Sequence, residues 1–154
     1  MKNFKVVLVQ PEIPSNTGNI GRTCVATQSE LHLVGPLGFE ISDKRLKRAG
    51  LDYWPYLSYK QYDNWPVWEK ENSITSRTWF FSTKGKKILY DVSFCQGDTF
   101  VFGRETKGLD SSLLSQYQEQ SLLIPFVGEV RSLNLANAVS VALFEGIRQL
   151  KAYK

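Results

Sequence analysis

The sequence predicts a single α/β domain built around a largely parallel β-sheet. Short apolar runs of strand length alternate with stretches of helical character, and residues that favour turns separate them. The length of 154 residues also suits one domain with one hydrophobic core. We therefore expect residues 1–154 to form a single domain.

The N-terminal half contains two apolar runs that are typical of buried strands. The Val-rich run at 4–9 stops at Gln10-Pro11. The second run, at 31–34, stops at Gly35-Pro36. The elements predicted here are, in order, a strand at 4–9, a polar turn with Ser15, Asn16 and Gly18, a helix over 19–29, a strand at 31–34, and a helix over 43–49 with Asp43 as N-cap and Gly50 after its end.

The C-terminal half continues the alternation of strands and helices. Its predicted elements are strands at 77–81 and 99–102, a short helix that begins at Leu109 or Asp110, a strand at 122–124, and the longest helix over 135–150. The carboxyl ends of parallel strands share one edge of a sheet, where ligands bind. We therefore expect the loops 82–87, 103–108 and 125–133 to lie on one rim.

Composition excludes several classes of protein. With 42% apolar residues and 13% aromatic residues, the chain is not intrinsically disordered. Apolar stretches are too short for a membrane span, and the N-terminus does not resemble a secretory signal. Two cysteines 71 residues apart and a single histidine predict neither a metal site nor a disulfide framework. We expect a cytoplasmic protein, with Cys24 and Cys95 as small core residues and His32 in a structural role.

The predicted last helix is apolar on both sides. From Leu135 to Phe144 only Asn137 and Ser140 are polar, whereas a surface helix of a monomer shows a wide polar face. Burial against the sheet on one side and a second copy of the chain on the other would explain this pattern. Cover by loops of the same chain is the alternative, and we predict the homodimer.

A basic cluster and an aromatic tract could each contact nucleic acid. Residues 44–48 (KRLKR) carry four cations, which fit either a solvated helix face or a phosphate-binding patch; they are Lys44, Arg45, Lys47 and Arg48. The tract from Tyr53 to Trp68 holds seven tyrosine and tryptophan residues. Unpaired bases could stack on it, but we favour packing of an insertion onto the core.

Three polar segments, each next to a predicted strand, are candidates for a site. They are PEIPSNTGNIGRTC at 11–24, VFGRETKGLD at 101–110, and IPFVGEVRSLNLANAVSVALFE at 124–145. The first could be a stiff loop with a helix cap, and the second an exposed turn. In the third, Ser132 or Asn134 could cap the helix, whose N-terminus favours anionic ligands.

Together these segments resemble the three motifs of the SPOUT superfamily of RNA methyltransferases. DKRLKRAGLDYW at 43–54 is similar to a signature of its small bacterial tRNA ribose methyltransferases, which act on the wobble nucleotide. The resemblance covers essentially the whole chain. It implies a Rossmann-like fold with a C-terminal trefoil knot, a homodimer, and S-adenosyl-L-methionine as cofactor.

The resemblance also implies roles for individual residues. Arg22 would be catalytic, with Asn16 and Asn134 helping to position the reactants, and the basic cluster would clasp the anticodon stem of tRNA. The residues implied in cofactor binding are Phe81, Ser82, Thr83, Gly103, Glu105, Gly108, Ile124, Ser132 and Leu133. The implied reaction transfers a methyl group to the ribose 2′-hydroxyl of nucleotide 34, a cytidine or modified uridine.

Three positions depart from the pattern expected of this group. Arg104 stands where relatives often have proline, Lys107 where they often have arginine, and Phe144 where a tyrosine is common. Two other functions stay open: 2′-O-methylation of another tRNA or rRNA nucleotide, and RNA binding without catalysis by a protein of the same fold.

Overall fold

A parallel sheet of seven strands organises the residues that the computed structural model describes, which are 1–42, 44–50 and 52–154. The strands are β1 Phe4–Val9, β2 Glu30–Val34, β3 Tyr59–Tyr62, β4 Thr78–Phe81, β5 Lys87–Ile88, β6 Asp98–Phe102 and β7 Ser121–Leu123. They lie in the order β3-β2-β1-β6-β4-β7-β5, and all of these neighbours pair in parallel. The predicted α/β fold with a parallel sheet is confirmed.

Helices cover both faces of this sheet. They are α1 Pro14–Ala26, α2 Lys44–Gly50, α3 Trp65–Asn72, α4 Ser111–Gln116 and α5 Leu135–Leu150. Apolar residues of α1 and α5 pack with one face of the sheet, and those of α3 and α4 pack with the other. In the described part of the chain, none of the helices is long and apolar enough to cross a membrane.

Helix α1 begins five residues earlier than the sequence analysis predicts. Ser15, Asn16 and Gly18, expected in a polar turn, all lie within this helix. Pro14 at its first position explains the early start, because proline presets the helical φ angle and lacks only an N–H group that the first turn leaves unbonded. The helix also ends at Ala26, before the predicted residue 29, because Gln28 adopts a φ of +52°, which a right-handed helix does not allow.

The predictions for the other elements have mixed outcomes. The bounds of β1 and α5 are confirmed, but β3, α3 and the two-residue β5 are not predicted. Cys24 is buried as expected, whereas the expectation for Cys95 is wrong: its side chain is exposed in the loop before β6. Asp43, the expected cap of α2, lies outside the described residues.

The aromatic tract packs onto the core through four of its members: Trp54 and Trp65 lie half-buried against the two core clusters, and Tyr62 and Trp68 are buried. Trp68 of α3 is 1% exposed and Tyr62 of β3 is 9% exposed, and both belong to the cluster on the α3 and α4 face of the sheet. Tyr56 is 76% exposed. The favoured interpretation of the tract as packing is therefore confirmed for these four members.

His32 is buried in β2 as a neutral imidazole. The indole Nε1–H of Trp68 donates to its Nδ1 at 2.9 Å, so the ring proton is on Nε2, which lies 3.1 Å from Oε1 of Glu30. Burial lowers the pKa of His32 to about 4. The predicted structural role of this histidine is confirmed.

Lowering the pH should destabilise the protein through this one histidine. The unfolded chain takes up the proton near pH 6.5, whereas the folded chain takes it up only near pH 4. Between these values the free energy of unfolding should fall by roughly 1.4 kcal/mol per pH unit as the pH falls. Urea denaturation at pH 7.0, 6.0 and 5.0 measures it.

His32→Gln is the control for that measurement, because glutamine retains an acceptor for Trp68 and does not titrate. Its free energy of unfolding should stay nearly constant between pH 7 and pH 5. An equal decline in both proteins would show that other groups cause the pH dependence.

Candidate active site

The loops that follow β4, β6 and β7 meet at the carboxyl edge of the sheet and enclose a cavity of about 390 Å³. They become neighbours because β4 lies between β6 and β7. The prediction that these three loops lie on one rim of the sheet is thus confirmed. All nine residues that the resemblance implies in cofactor binding line the cavity: Phe81, Ser82, Thr83, Gly103, Glu105, Gly108, Ile124, Ser132 and Leu133. Their binding of a cofactor stays a prediction.

Two glycines let these loops pack at very short range. A Cβ atom on Gly103 would lie 2.1 Å from the carbonyl carbon of Gly108, and one on Gly85 would lie 2.3 Å from that of Leu122. Gly108 also has a φ of +64°, a conformation that side chains disfavour. Any larger residue at Gly85 or Gly103 would force the loops apart and change the shape of the cavity.

The wall of the cavity combines an apolar base with a basic mouth. Phe81, Phe102 and Leu122 are buried and supply apolar surface. Four cationic residues also line the cavity: Lys84, Arg104, Lys107 and Arg131. These cations come from three loops that are distant in the sequence, and only the strand order brings them together.

Two carboxylates tie the loop 103–108 to the start of α1 by a reciprocal exchange of hydrogen bonds. Glu105 accepts from the backbone N–H groups of Glu12 (2.8 Å) and Ile13 (3.0 Å). In return, Glu12 accepts from the backbone N–H of Thr106 (3.0 Å) and from its hydroxyl (2.7 Å). We call this pair of contacts the Glu12–Glu105 clasp.

The clasp has electrostatic and structural consequences. The hydroxyl and the backbone amide of Thr106 hold the pKa of the Glu12 carboxyl below its ordinary value, so Glu12 is ionised at neutral pH. Arg131 adds a third connection, since its Nη2 donates to the carbonyl oxygen of Thr106 at 3.0 Å. Glu105 lines the cavity, but its carboxylate oxygens are engaged by the chain itself, which favours a positioning role.

Asn16 and Asn134 form a chain of amide contacts that continues from the clasp. The side-chain Nδ2 of Asn16 donates to Glu105 at 3.4 Å, and Nδ2 of Asn134 donates to Oδ1 of Asn16 at 3.1 Å. Asn134 also caps α5, because its side-chain oxygen accepts from the N–H of Asn137. The structure therefore joins both predicted asparagines to Glu105, Asn16 directly and Asn134 through Asn16, and the three side chains link α1, α5 and the loop 103–108.

Arg22 lies away from this group. It is exposed on α1, on the same outward face as Ser15, Asn19 and Ala26. Arg22 is not among the described residues that line the cavity. Within one chain, the structure does not bring the predicted catalytic arginine to the cavity, and its catalytic role stays a prediction.

The basic cluster lies on α2, which packs against α1. Lys44, Arg45 and Arg48 are exposed, while Leu46 between them is fully buried. The side chain of Lys47 lies outside the described residues. The exposed cations fit both interpretations of the cluster, and RNA binding stays a prediction. Across the described part of the chain, His, Cys, Asp and Glu residues do not form a group that could hold a metal ion.

Comparison with known proteins identifies the family. Residues 3–144 match the SpoU rRNA Methylase family. A protein of Saccharophagus degradans named tRNA (cytidine(34)-2′-O)-methyltransferase is 48% identical, with 96% of each chain covered. A solved structure described as "Structural insights into the 2-OH methylation of C/U34 on tRNA" aligns with a TM-score of 0.92 and 44% identity, and 97% of each chain is covered.

A more distant structure shares the fold. It is the SpoU methyltransferase AviRb of Streptomyces viridochromogenes in complex with the cofactor AdoMet, which aligns with a TM-score of 0.83 at 24% identity over all of this chain and 60% of the other. Family match, close relative and fold agree over nearly the full length. The chain belongs to the SpoU rRNA Methylase family.

Proposed function

We propose that this protein transfers a methyl group from S-adenosyl-L-methionine to the ribose 2′-hydroxyl of nucleotide 34 of tRNA. The observation that carries the proposal is the convergence of three loops on one cavity at the carboxyl edge of a SpoU-type sheet. The relative named for cytidine 34 supports the choice of nucleotide, since it matches this chain over 96% of both lengths.

The chemistry of the cavity fits S-adenosyl-L-methionine. Its volume of about 390 Å³ lies within the range of small-molecule sites, roughly 300–1,000 Å³. The apolar base suits an adenine ring, and the polar loops suit an amino-acid tail. The backbone groups of Phe81, Gly103 and Ile124 would hold the edge of the adenine. When bound, the cofactor supplies an activated methyl group on a sulfonium.

The residues of the chain therefore need to orient the reactants more than to activate them. Holding two reactants in line can contribute roughly 7–11 kcal/mol to lowering a barrier. We assign Asn16, Asn134 and Glu105 to this task, because their contacts fix the loop 103–108 against two helices. They act as positioning residues.

We propose that Arg22 stabilises the negative charge that develops on the ribose oxygen. A guanidinium with a pKa above about 12 stays protonated at neutral pH and is a poor base. It can instead fix the neighbouring phosphate or hydroxyl group and stabilise the developing alkoxide. Since Arg22 lies outside the cavity of its own chain, we propose that it acts across the interface of a homodimer.

Exposed apolar side chains support such an interface. Phe144 of α5 is 54% exposed and Ile13 before α1 is 43% exposed. The two helices contact each other, with the Thr23 and Ser140 hydroxyl oxygens 3.2 Å apart. We propose that α1 and α5 form the dimer surface, which would bury Phe144 and carry Arg22 to the partner subunit.

The same proposal includes a trefoil knot in a single cytoplasmic domain over residues 1–154. The strand order supports the knot: from β5 at one edge the chain returns to form β6 between β1 and β4, and then β7 between β4 and β5. Such threading is rare among proteins. The basic cluster on α2 is proposed to bind the anticodon stem-loop.

Mass spectrometry of ribonuclease fragments of the tRNA, which assigns a methylated nucleotide to its position, tests the proposed function. Purified protein is incubated with S-adenosyl-L-methionine and tRNA from a strain that lacks this activity. We expect 2′-O-methylated nucleoside to appear at position 34 and no methylation of purified rRNA. Methylation at another position, or tRNA binding without methyl transfer, would contradict the proposal.

Replacing Arg22 should separate catalysis from cofactor binding. Arg22→Ala should lower the rate constant of methyl transfer by roughly 100-fold or more, the scale for loss of a group that stabilises transition-state charge. The affinity for S-adenosyl-L-methionine should change little, because Arg22 is assigned to the ribose oxygen and does not line the cavity of its own chain. Single-turnover transfer and calorimetry measure the two quantities.

Lys70→Ala is the matched control for Arg22→Ala, since Lys70 is an exposed cation of α3, outside the proposed dimer surface. It should retain methyl transfer. Light scattering on both variants shows whether the dimer persists. Unchanged turnover of Arg22→Ala would remove Arg22 from catalysis.

Charge reversal on α2 should weaken tRNA binding. In the double variant Lys44→Glu/Arg48→Glu, the dissociation constant for tRNA should rise by roughly tenfold or more at low salt. The plot of the logarithm of this constant against the logarithm of the salt concentration should also become less steep, by roughly 1.5. Filter binding between 50 and 200 mM salt measures both.

The control for this variant is Lys2→Glu/Lys154→Glu, which changes the net charge equally at exposed terminal residues. It should alter tRNA binding much less. Equal effects of the two double variants would indicate a general charge effect and assign RNA binding to another surface.

A further inference from the structure

A second cavity of about 370 Å³ lies at the same edge of the sheet, between α3 and α4. It is separated from the first cavity by the loop 103–108, and Arg104, Gly108 and Leu109 line both. An occupant of the second cavity would therefore lie next to an occupant of the first. The proposed methyl transfer does not use this space.

One wall of the second cavity is an indole held in place by other aromatic rings. Trp65 is half-buried, and its ring stacks on that of Trp68 at 4.8 Å with an interplanar angle of 22°. Phe80 contacts it edge-on at 6.4 Å. A ring fixed in this way is a rigid surface on which a flat heterocycle can stack without further ordering of the protein.

The charges of the second cavity differ from those of the first. Among the lining residues that the structure describes, Glu69 and Asp110 have one cation beside them, Arg104, whose Nη2 lies 3.3 Å from Asp110. The described lining of the first cavity instead has four cations and one carboxylate, Glu105, which the clasp engages. Phosphate groups should thus avoid the second cavity, whereas a neutral group with N–H donors would find acceptors in Glu69 and Asp110.

These features together fit a nucleobase that carries an exocyclic amino group. Unpaired bases of RNA loops are recognised by stacking on aromatic side chains and by hydrogen bonds to their edges. A carboxylate accepts from the amino group of cytosine, and glutamine side chains also bond to base edges. Gln10 and Gln116 line the same cavity.

We propose that the second cavity binds an unstacked, amino-bearing base of the anticodon loop close to the methylated nucleotide, with Trp65 as its stacking surface and Glu69 as its acceptor. This inference rests on the proposed tRNA substrate. It gives the enzyme a means of selecting its substrate by the base next to the site of methylation, separately from the basic cluster on α2.

A binding cycle with abasic RNA tests the stacking contact. Synthetic anticodon stem-loops, each lacking one loop base other than that of nucleotide 34, are titrated against wild-type protein and Trp65→Leu. For wild type, one abasic position should raise the dissociation constant by roughly 5- to 100-fold, the range for loss of one stacked base. Trp65→Leu should bind the intact RNA more weakly than wild type does, by a similar factor. It should bind that abasic RNA as tightly as wild type does.

Glu69→Gln tests the acceptor without disturbing the aromatic packing, so the proposal does not depend on how Trp65→Leu folds. At the position found above, wild type should prefer adenine or cytosine to uracil, and Glu69→Gln should reduce that preference by roughly 5-fold or more. Glu71→Gln, exposed on the same helix and outside the cavity, is the control and should keep the preference.

The outcomes separate this inference from the proposed function. If the loss of affinity caused by each abasic position and the loss caused by Trp65→Leu multiply at every position, Trp65 stacks on none of these bases and the assignment of the second cavity is wrong. A base preference that Glu69→Gln leaves unchanged would also overturn it. Methyl transfer to tRNA, measured in parallel on the wild type, reports on the proposed function alone. Since the cycle uses dissociation constants, it stays decisive whatever the rate of transfer.

Discussion

The Glu12–Glu105 clasp is the contact on which the geometry of the candidate active site depends. Glu12 follows β1 and Glu105 follows β6, and these strands are neighbours in the sheet. Glu105 accepts from two backbone N–H groups at the start of α1, and Glu12 accepts from the backbone N–H of Thr106. Each carboxylate therefore bonds to the loop that follows the neighbouring strand. Hydrogen bonds to an ionised acceptor are stronger than those between neutral groups. The loop 103–108, which separates two cavities, is thereby held in one position.

The clasp also explains how α1 begins without a capping side chain of its own. Ile13 precedes the helix, and isoleucine has no acceptor to offer. Glu105 places a negative charge at this end of α1, where the helix dipole favours it. Through Asn16 and Asn134 the same group reaches the N-terminus of α5. Two helices that carry the proposed dimer surface are thus connected to the loop that forms the proposed cofactor site.

Much of the fold could be predicted from local patterns. The Val-rich run of β1 and the long apolar pattern of α5 are strong signals, and the structure confirms their bounds. The early start of α1 does not follow from these patterns, because Asn16 and Gly18 are typical of turns, although Pro14 also favours the first position of a helix. The two-residue β5 is too short to leave a periodic signal.

The site was predictable in part for a different reason. Residues of the three loops could be chosen from motifs and from the rule that ligands bind at the carboxyl ends of strands. The order of the strands, however, depends on contacts between distant parts of the chain. Without it, the hydrogen bonds between Glu12 and Thr106 could not be predicted from the sequence. Arg22 shows the opposite case, because a motif selects it while the single chain keeps it away from the cavity.

Calorimetric titration of S-adenosyl-L-methionine into wild type, Glu12→Ala and Glu129→Ala measures how far cofactor binding depends on the Glu12–Glu105 clasp. Glu129 is an exposed carboxylate on the same rim that does not line the cavity, so its removal controls for the change in charge. We expect saturable binding to wild type, a dissociation constant roughly tenfold higher for Glu12→Ala because two hydrogen bonds to Thr106 are lost, and little change for Glu129→Ala. Absence of binding to the wild type, or equal affinity of wild type and Glu12→Ala, would contradict this expectation.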